Sequence, residues 1–179
     1  ITRVLDSGRR RASFQKKVGT GMTVDEFNKA IKEKLITGHV GLVESMQMIN
    51  AALNLDLDHF EEFPPEAVIA DEPISTSFAN VEKGNVIGLK SKSIGAKNGE
   101  VIITLEFLAH AGANPEFDEI RVTGFPNLTQ RIEGGVMGDY GTAAMAVNMI
   151  PLVVSAEPGL YTMKDLPVPR NTQRVYMTE

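Results

Sequence analysis

The dipeptide Asn98-Gly99 separates two stretches of strand-like sequence and constrains the fold more than any other feature of the chain. Asn and Gly both tolerate positive φ, as a two-residue hairpin turn requires. Beyond the turn, every second residue from Val101 to Ala109 is apolar. Because neighbouring side chains of a strand point to opposite faces, the sequence predicts a hairpin with one core face and one mixed face. The core face comprises Val101, Ile103, Leu105, Phe107 and Ala109, and the mixed face comprises Ile102, Thr104, Glu106, Leu108 and His110.

Three further segments have the composition of strands. Residues 1–6 (ITRVLD) alternate and contain β-branched side chains, which favours a first strand. Residues 120–123 and 128–132 favour two more strands on either side of a turn at residues 124–127 (GFPN). We therefore expect β structure from about residue 68 to residue 133, in addition to the first strand.

Two helices are predicted between the first strand and this β region. Residues 23–26 (TVDE) have the pattern of a capping box, in which the Thr23 hydroxyl accepts the Glu26 N–H and the Glu26 side chain reaches back. The helix should cover about residues 24–36, with an apolar face of Val24, Phe27, Ile31 and Leu35. A second helix is expected over about residues 42–53, with Leu42, Met46, Ile49 and Leu53 on one face and Met48 also in the core.

A glycine-rich loop precedes the last predicted helix. Residues 134–139 (GGVMGD) end in Asp139, a favourable N-cap residue. The helix should cover residues 140–150 and be kinked or interrupted at Pro151, which has no N–H to donate. The residues after it, 158–167, have the composition of an extended tail.

Length and composition are those of one globular domain. The 179 residues lie in the range of a single domain, and a first strand followed by two helices and a β region defines the α+β class. The chain has no cysteine, no apolar run of the roughly 18 residues that a membrane helix needs, and no signal peptide. We therefore expect a cytoplasmic protein. The first residue is Ile1 rather than Met, which indicates a removed segment or a piece of a longer chain.

Charge is distributed unevenly along the chain, whose formal net charge is −5. The first forty residues carry nine Lys/Arg against four Asp/Glu, whereas residues 41–80 carry eight Asp/Glu and no Lys/Arg. A basic segment on an acidic protein indicates a local anion site rather than a nucleic-acid surface.

The basic segment is predicted as a loop over residues 7–21. It contains five cations followed by a glycine-rich turn: Arg9, Arg10, Arg11, Lys16, Lys17 and then Gly19-Thr20-Gly21. Guanidinium groups and exposed backbone N–H groups bind carboxylates. The alternative is a solvated basic loop that balances the acidic segment.

Common catalytic and nucleotide-binding motifs are absent from the sequence. There is no P-loop, no Gly-x-Gly-x-x-Gly after a strand and no Gly-x-Ser-x-Gly. The three histidines, His39, His59 and His110, have no metal-ligand spacing, so no metal site is expected. His39 and His110 are either partners of a polar substrate or plain hydrogen-bonded residues. No residue is assigned as the catalytic acid or base.

Residues 134–167 (GGVMGDYGTAAMAVNMIPLVVSAEPGLYTMKDLP) resemble the C-terminal part of 2,4-diaminopentanoate dehydrogenases and native amine dehydrogenases. Residues 10–21 (RRASFQKKVGTG) and 38–42 (GHVGL), with Glu44-Ser45, resemble the same family. More distantly, the arrangement is similar to the C-terminal domain of dihydrodipicolinate reductase, where a Ser-Gly-Thr loop holds the substrate carboxylate. Here Val18 replaces the serine, and a run of arginines replaces that enzyme's His-His pair.

This resemblance implies a fold and a role. The fold is α+β, a mixed and largely antiparallel sheet with helices packed on one face, as in the C-terminal domain of dihydrodipicolinate reductase. Residues 1–179 would be a single substrate-binding and oligomerisation domain, with a Rossmann NAD(P)-binding domain expected upstream. The reaction would be reversible oxidative deamination of an amine or amino acid by hydride transfer to NAD or NADP, in a homo-oligomer without nucleic-acid or membrane partners.

The resemblance also implies site residues. Substrate-binding candidates are Arg10, Arg11, Lys17, Gly19, Thr20, His39 and His110, and Thr142 and Asn148 are candidates to face the cofactor. Thr142 and Asn148 are equally well explained by helix packing. A different class of function is a stand-alone module on the same fold that binds a small anion or makes a regulatory contact. A third is a purely oligomerising domain, with Ile102 and Leu108 of the mixed face buried between subunits.

Overall fold

The computed structural model describes residues 1–170, which form two compact units. The first unit is Ile1–Gly135, and the second begins at Val136. The first contains nine strands: β1 (Thr2–Asp6), β2 (His59–Glu62), β3 (Glu66–Ile69), β4 (Ile74–Ser75), β5 (Asn80–Val81), β6 (Val86–Lys97), β7 (Glu100–His110), β8 (Phe117–Val122) and β9 (Leu128–Glu133). Its helices are α1 (Ala12–Lys17), α2 (Val24–Lys32) and α3 (Leu42–Leu53), and α4 (Gly138–Val154) belongs to the second unit.

The main sheet has the strand order β2-β6-β7-β1-β8-β9, with β3 also paired to β6. In this sheet the β1–β7 pair is parallel, and the other strand pairs are antiparallel. Strands β4 and β5 form a separate two-stranded sheet. The first strand of the chain therefore lies in the middle of the sheet and joins the β6–β7 hairpin to the β8–β9 hairpin.

The hairpin predicted around Asn98-Gly99 is confirmed. Strand β6 ends at Lys97, β7 begins at Glu100, and the two turn residues have φ of 52° and 81°. On β7, Ile103, Leu105, Phe107 and Ala109 are buried as predicted, whereas Val101 is exposed at the hairpin end of the strand.

Helices α1, α2 and α3 pack on one face of the sheet. Phe27 and Ala30 of α2 share a core cluster with Leu89, Phe107 and Ala109, while Leu42 and Met46 of α3 pack on Ile103 and Leu105. Full burial of a side chain such as Phe27 or Met46 stabilises the fold by about 1.5–3 kcal/mol. This helix-covered face confirms the predicted fold class, a mixed and largely antiparallel sheet with helices on one face.

The basic segment is not the open loop that the sequence predicted. A 3-10 turn at Ser7–Arg9 is followed by α1, so three helices rather than two lie between β1 and β2. The density of Arg, Lys and Gly concealed the helical spacing of Phe14 and Val18, which both pack into the core beside α2.

The capping box of α2 is confirmed, with the Thr23 hydroxyl accepting the Glu26 N–H and the Glu26 carboxylate accepting the Thr23 N–H. The helix ends at Lys32, earlier than predicted, because Lys34 adopts a φ of 58°. Leu35 is consequently 72% exposed, and Ile36 takes the core position instead.

The predicted bounds of α3 are confirmed, and Met46 is buried. The expectation that Met48 belongs to the core is wrong, since this side chain is 44% exposed. Residue 48 lies two positions from 46 and therefore points away from the sheet.

In the second unit, α4 begins at Gly138 with Met137 at the N-cap, so Asp139 lies in the first turn rather than capping it. The helix continues through Pro151 to Val154, contrary to the predicted interruption. None of the helices in residues 1–170 is long and apolar enough to cross a membrane.

Candidate functional site

His39 lies on the helix-covered face of the sheet, in the connection between α2 and α3. Its ring stacks on that of Phe107, with 4.3 Å between the centroids and 27° between the planes. The His39 backbone N–H donates to Ser91 Oγ at 3.1 Å. The preceding residue, Gly38, has a φ of 74°, and a Cβ there would lie 2.7 Å from both Pro65 Cγ and Ser91 Oγ. The connection is thus pressed against β6, which fixes the position of His39.

Two cations act electrostatically on this imidazole. His39 is exposed overall, but its packing against Phe107 removes water from one side of the ring. This desolvation lowers the pKa of His39, and the positive charges of Arg3 and Lys17 lower it further. Because the ordinary value is 6.5, the ring is neutral at pH 7. A neutral imidazole can accept one hydrogen bond and donate another.

Arg3 is the residue of this site that the sequence analysis missed. It pairs in register with Phe107 of β7 and with Asp118 of β8, and its Nε lies 3.5 Å from Asp118 Oδ1. The sequence contained an indication that Arg3 is a functional residue, because the alternation of β1 places it on the same face as the apolar Leu5. A charged residue at a core-facing position is an indication of function.

The three consecutive arginines have different environments. The Arg9 guanidinium is held by Asp6 at 2.9 Å and by Glu116, at the edge of a cavity of about 430 Å³. Arg10 lies over the ring of Phe14, 5.3 Å from its centroid. Arg11 is exposed at the N-cap of α1 and makes no ion pair with the described residues. Among the three, Arg11 is the guanidinium most open to a ligand.

Lys17 is the last residue of α1 and is exposed. It has no ion-pair partner within residues 1–170, and its charge acts on His39. From the predicted set, Lys17 and His39 therefore interact electrostatically, and Arg3 adds a second positive charge.

The Gly19-Thr20 turn is built into the core. The N–H groups of residues 19, 20 and 21 donate to the carbonyls of Lys16, Gln15 and Val86 respectively. These amides are engaged within the protein and do not form the exposed nest that the sequence suggested. Thr20 is 5% exposed, and its hydroxyl has no hydrogen-bond partner among the described residues.

His110 lies on the other face of the sheet from His39. It follows the buried Ala109 on β7, so its side chain points away from the helices. Its Nδ1 is 3.0 Å from the Ala111 carbonyl oxygen, and the proton of this contact therefore lies on Nδ1. The two predicted histidines are thus separated by the sheet and do not form one site.

The two cofactor candidates both lie on α4. Thr142 is exposed, and Asn148 is half-buried and borders a cavity of about 610 Å³ together with Leu152, Ser155 and Leu166. Six residues of an α-helix place two side chains about 120° apart. Thr142 and Asn148 therefore do not point in the same direction.

Within residues 1–170, no three His, Asp or Glu side chains are grouped so that they could hold a metal ion.

The chain shares its fold with a solved dehydrogenase structure. The fold is that of an amine dehydrogenase from Mycobacterium smegmatis, with a TM-score of 0.77 over 95% of this chain and 51% of that chain, at 21% identity. Residues 2–177 match the family described as the 2,4-diaminopentanoate dehydrogenase C-terminal domain, and the chain belongs to this family.

A curated relative supports the assignment. The 2,4-diaminopentanoate dehydrogenase of Acetoanaerobium sticklandii is 37% identical over 158 residues. The match covers 85% of this chain but only 44% of the relative. The resemblance seen in the sequence is therefore confirmed for the domain.

Proposed function

We propose that this chain is the substrate-binding domain of an NAD(P)-dependent dehydrogenase that acts on an amine or a diamino acid by reversible oxidative deamination. The family assignment supports a dehydrogenase domain. The observation that carries the finer proposal is the grouping of His39, Lys17 and Arg3 beside the Phe107 ring. These residues come from β1, α1, the α2–α3 connection and β7.

The chemistry of this group suits a substrate with a polar, anionic end. The ammonium of Lys17 attracts a carboxylate, and the Arg3 guanidinium, oriented by Asp118, adds to the positive field. The neutral His39 ring accepts a hydrogen bond from a substrate amine, while Phe107 limits how far the ring can turn. The role of these side chains is to orient the substrate and to exclude water from one side of it.

A nicotinamide cofactor would supply the hydride acceptor. The glycines before α4 follow an antiparallel strand, β9, which is not the strand–turn–helix setting that holds a dinucleotide. We therefore place most of the cofactor contacts on a Rossmann domain outside these residues. Thr142 and Asn148 are the proposed contacts from this chain.

The remaining predicted residues have secondary places in this proposal. Arg11 is a candidate for attracting the substrate carboxylate because it is exposed and unpaired within residues 1–170. Arg10, Gly19 and Thr20 have a structural role in the basic segment in this proposal and do not contact the substrate. His110 is not assigned to the same site, because it lies on the opposite face of the sheet.

The test measures amine oxidation by the whole protein, followed by the absorbance of NADH or NADPH. Removal of one charged or hydrogen-bonded substrate contact weakens binding about tenfold. We expect His39→Ala and Lys17→Ala to raise KM by about that factor. His59→Ala is the matched control, since His59 is exposed on β2. Unchanged KM values in both site variants would remove the basis of the proposal.

A second candidate function, subunit association, is favoured by the sheet face opposite the helices. Ile102 is 45% exposed on this face, and Leu108 is half-buried. The buried Glu119 carboxylate is paired there with Arg121 and Arg131, whose charges are thus already neutralised. In sedimentation, Ile102→Asp should dissociate a homo-oligomer. Leu35→Asp, at an exposed position after α2, should not.

A further inference from the structure

We propose that Ser91 is a positioning residue that holds His39 in its binding orientation, an inference that rests on the proposed role of His39. Ser91 lies in the middle of β6 and is 1% exposed. Its Oγ accepts the hydrogen bond from the His39 backbone N–H at 3.1 Å.

The register of the β6–β7 ladder explains why this position matters. Ser91 is paired directly with Phe107, so both side chains project from the same face of the sheet beside each other. The hydroxyl of Ser91 holds the backbone of His39, and the ring of Phe107 holds its imidazole. Two neighbouring side chains therefore fix one residue at two points.

The contacts of Gly38 restrict the movement of His39 on one side. Gly38 is so close to Pro65 and Ser91 that a Cβ would lie 2.7 Å from each. The connection cannot move toward the sheet, and the hydrogen bond to Ser91 opposes movement away from it. Without the hydroxyl, the His39 N–H loses its acceptor and the ring can leave Phe107.

The pKa of His39 reports whether its ring is in place, because charged groups near the ring influence that pKa. The positive charges of Arg3 on β1 and Lys17 on α1 act on the ring, and Asp118 of β8 is paired with Arg3. Displacement of the ring from Phe107 and from these cations weakens both causes of its lowered pKa. The pKa of His39 then rises toward its ordinary value of 6.5.

Ser93 provides a matched control. It lies two residues along the same strand and on the same face, and it is fully buried, but its hydroxyl has no hydrogen-bond partner among the described residues. Ser93→Ala therefore removes the same atom from a similar environment without touching His39.

The experiment compares Ser91→Ala, Ser91→Cys and Ser93→Ala in the whole protein. The His39 titration is followed by NMR, and kcat and KM are measured for amine oxidation. Ser91→Cys preserves the volume with a weaker acceptor, so it separates hydrogen bonding from packing. We expect both Ser91 variants to raise the His39 pKa and to raise KM several-fold, with kcat less affected.

An unmoved His39 titration in both Ser91 variants would overturn the proposal. So would an equal shift in Ser93→Ala, which would indicate a general loosening of the core. If the titration moves in the Ser91 variants but neither they nor His39→Ala change KM, the positioning of His39 is supported and the proposed substrate-binding role is overturned.

Discussion

The imidazole of His39 lies on the phenyl ring of Phe107, with 4.3 Å between the ring centroids. This stack joins the α2–α3 connection to the central hairpin of the sheet. It places a titratable side chain beside Arg3, which the neighbouring strand β1 contributes. The proposed site therefore depends on the packing of the core, because Phe107 belongs to both.

Phe107→Leu should separate these two roles. The substitution keeps an apolar side chain in the core but removes the aromatic stack, which is worth about 1 kcal/mol. We expect the free energy of unfolding in urea to fall by about that amount and the His39 pKa to rise. Phe60→Leu, in the half-buried position on β2, should leave the His39 titration unchanged.

The pH dependence of stability should show the low pKa of His39. In this group the folded-state pKa lies below the unfolded value of 6.5, so the unfolded chain binds more protons between the two values. The contribution of His39 to the free energy of unfolding is complete above pH 6.5 and is lost as the pH falls through the pKa of the folded state. His39→Gln should therefore flatten the dependence of the unfolding free energy on pH below 6.5. A dependence as steep as that of the parent protein would contradict this prediction.

The structure also separates what short-range pattern can predict from what it cannot. The Asn98-Gly99 turn, the Thr23 capping box and the bounds of α3 follow from residues close together in the sequence, and all were predicted. The approach of Arg3 to His39 depends on the parallel pairing of β1 with β7, between residues about a hundred positions apart. Similarly, His39 and His110 are separated because the α2–α3 connection packs against one face of β7 and His110 points from the other. Local spacing in the sequence does not determine which face the connection covers.

Arg9 and Arg11 should behave differently, although they are two positions apart. Arg9 is paired with Asp6 and Glu116, so Arg9→Gln should lower the free energy of unfolding by up to about 1 kcal/mol. Arg11 has no such pairing within residues 1–170. Arg11→Gln should leave the urea midpoint unchanged and instead raise KM, and equal stability losses in the two variants would show that the arginines are equivalent.

Thr23→Ala should destabilise the protein through the start of α2. The Thr23 hydroxyl accepts the Glu26 N–H, and loss of an N-cap of this kind costs about 1 kcal/mol. Thr23→Ser retains the hydroxyl and should retain most of the stability. Thermal unfolding of the two variants measures the contribution of the hydroxyl directly, and equal melting temperatures would rule it out.

Gly88→Ala should be the most destabilising of these substitutions. Gly88 is paired with His110 across the β6–β7 ladder, and a Cβ at this position would overlap the Ala109 carbonyl oxygen and the His110 Cα. Because both are backbone atoms, no side-chain rotation can relieve the overlap, and the strands would have to separate locally. We expect a loss of about 3 kcal/mol in the free energy of unfolding. Gly124→Ala is the matched control, since its nearest atom would be the Pro126 carbonyl oxygen at 3.9 Å. If the two variants unfold at the same urea concentration, the close approach of β6 and β7 at Gly88 is not a feature of the protein in solution.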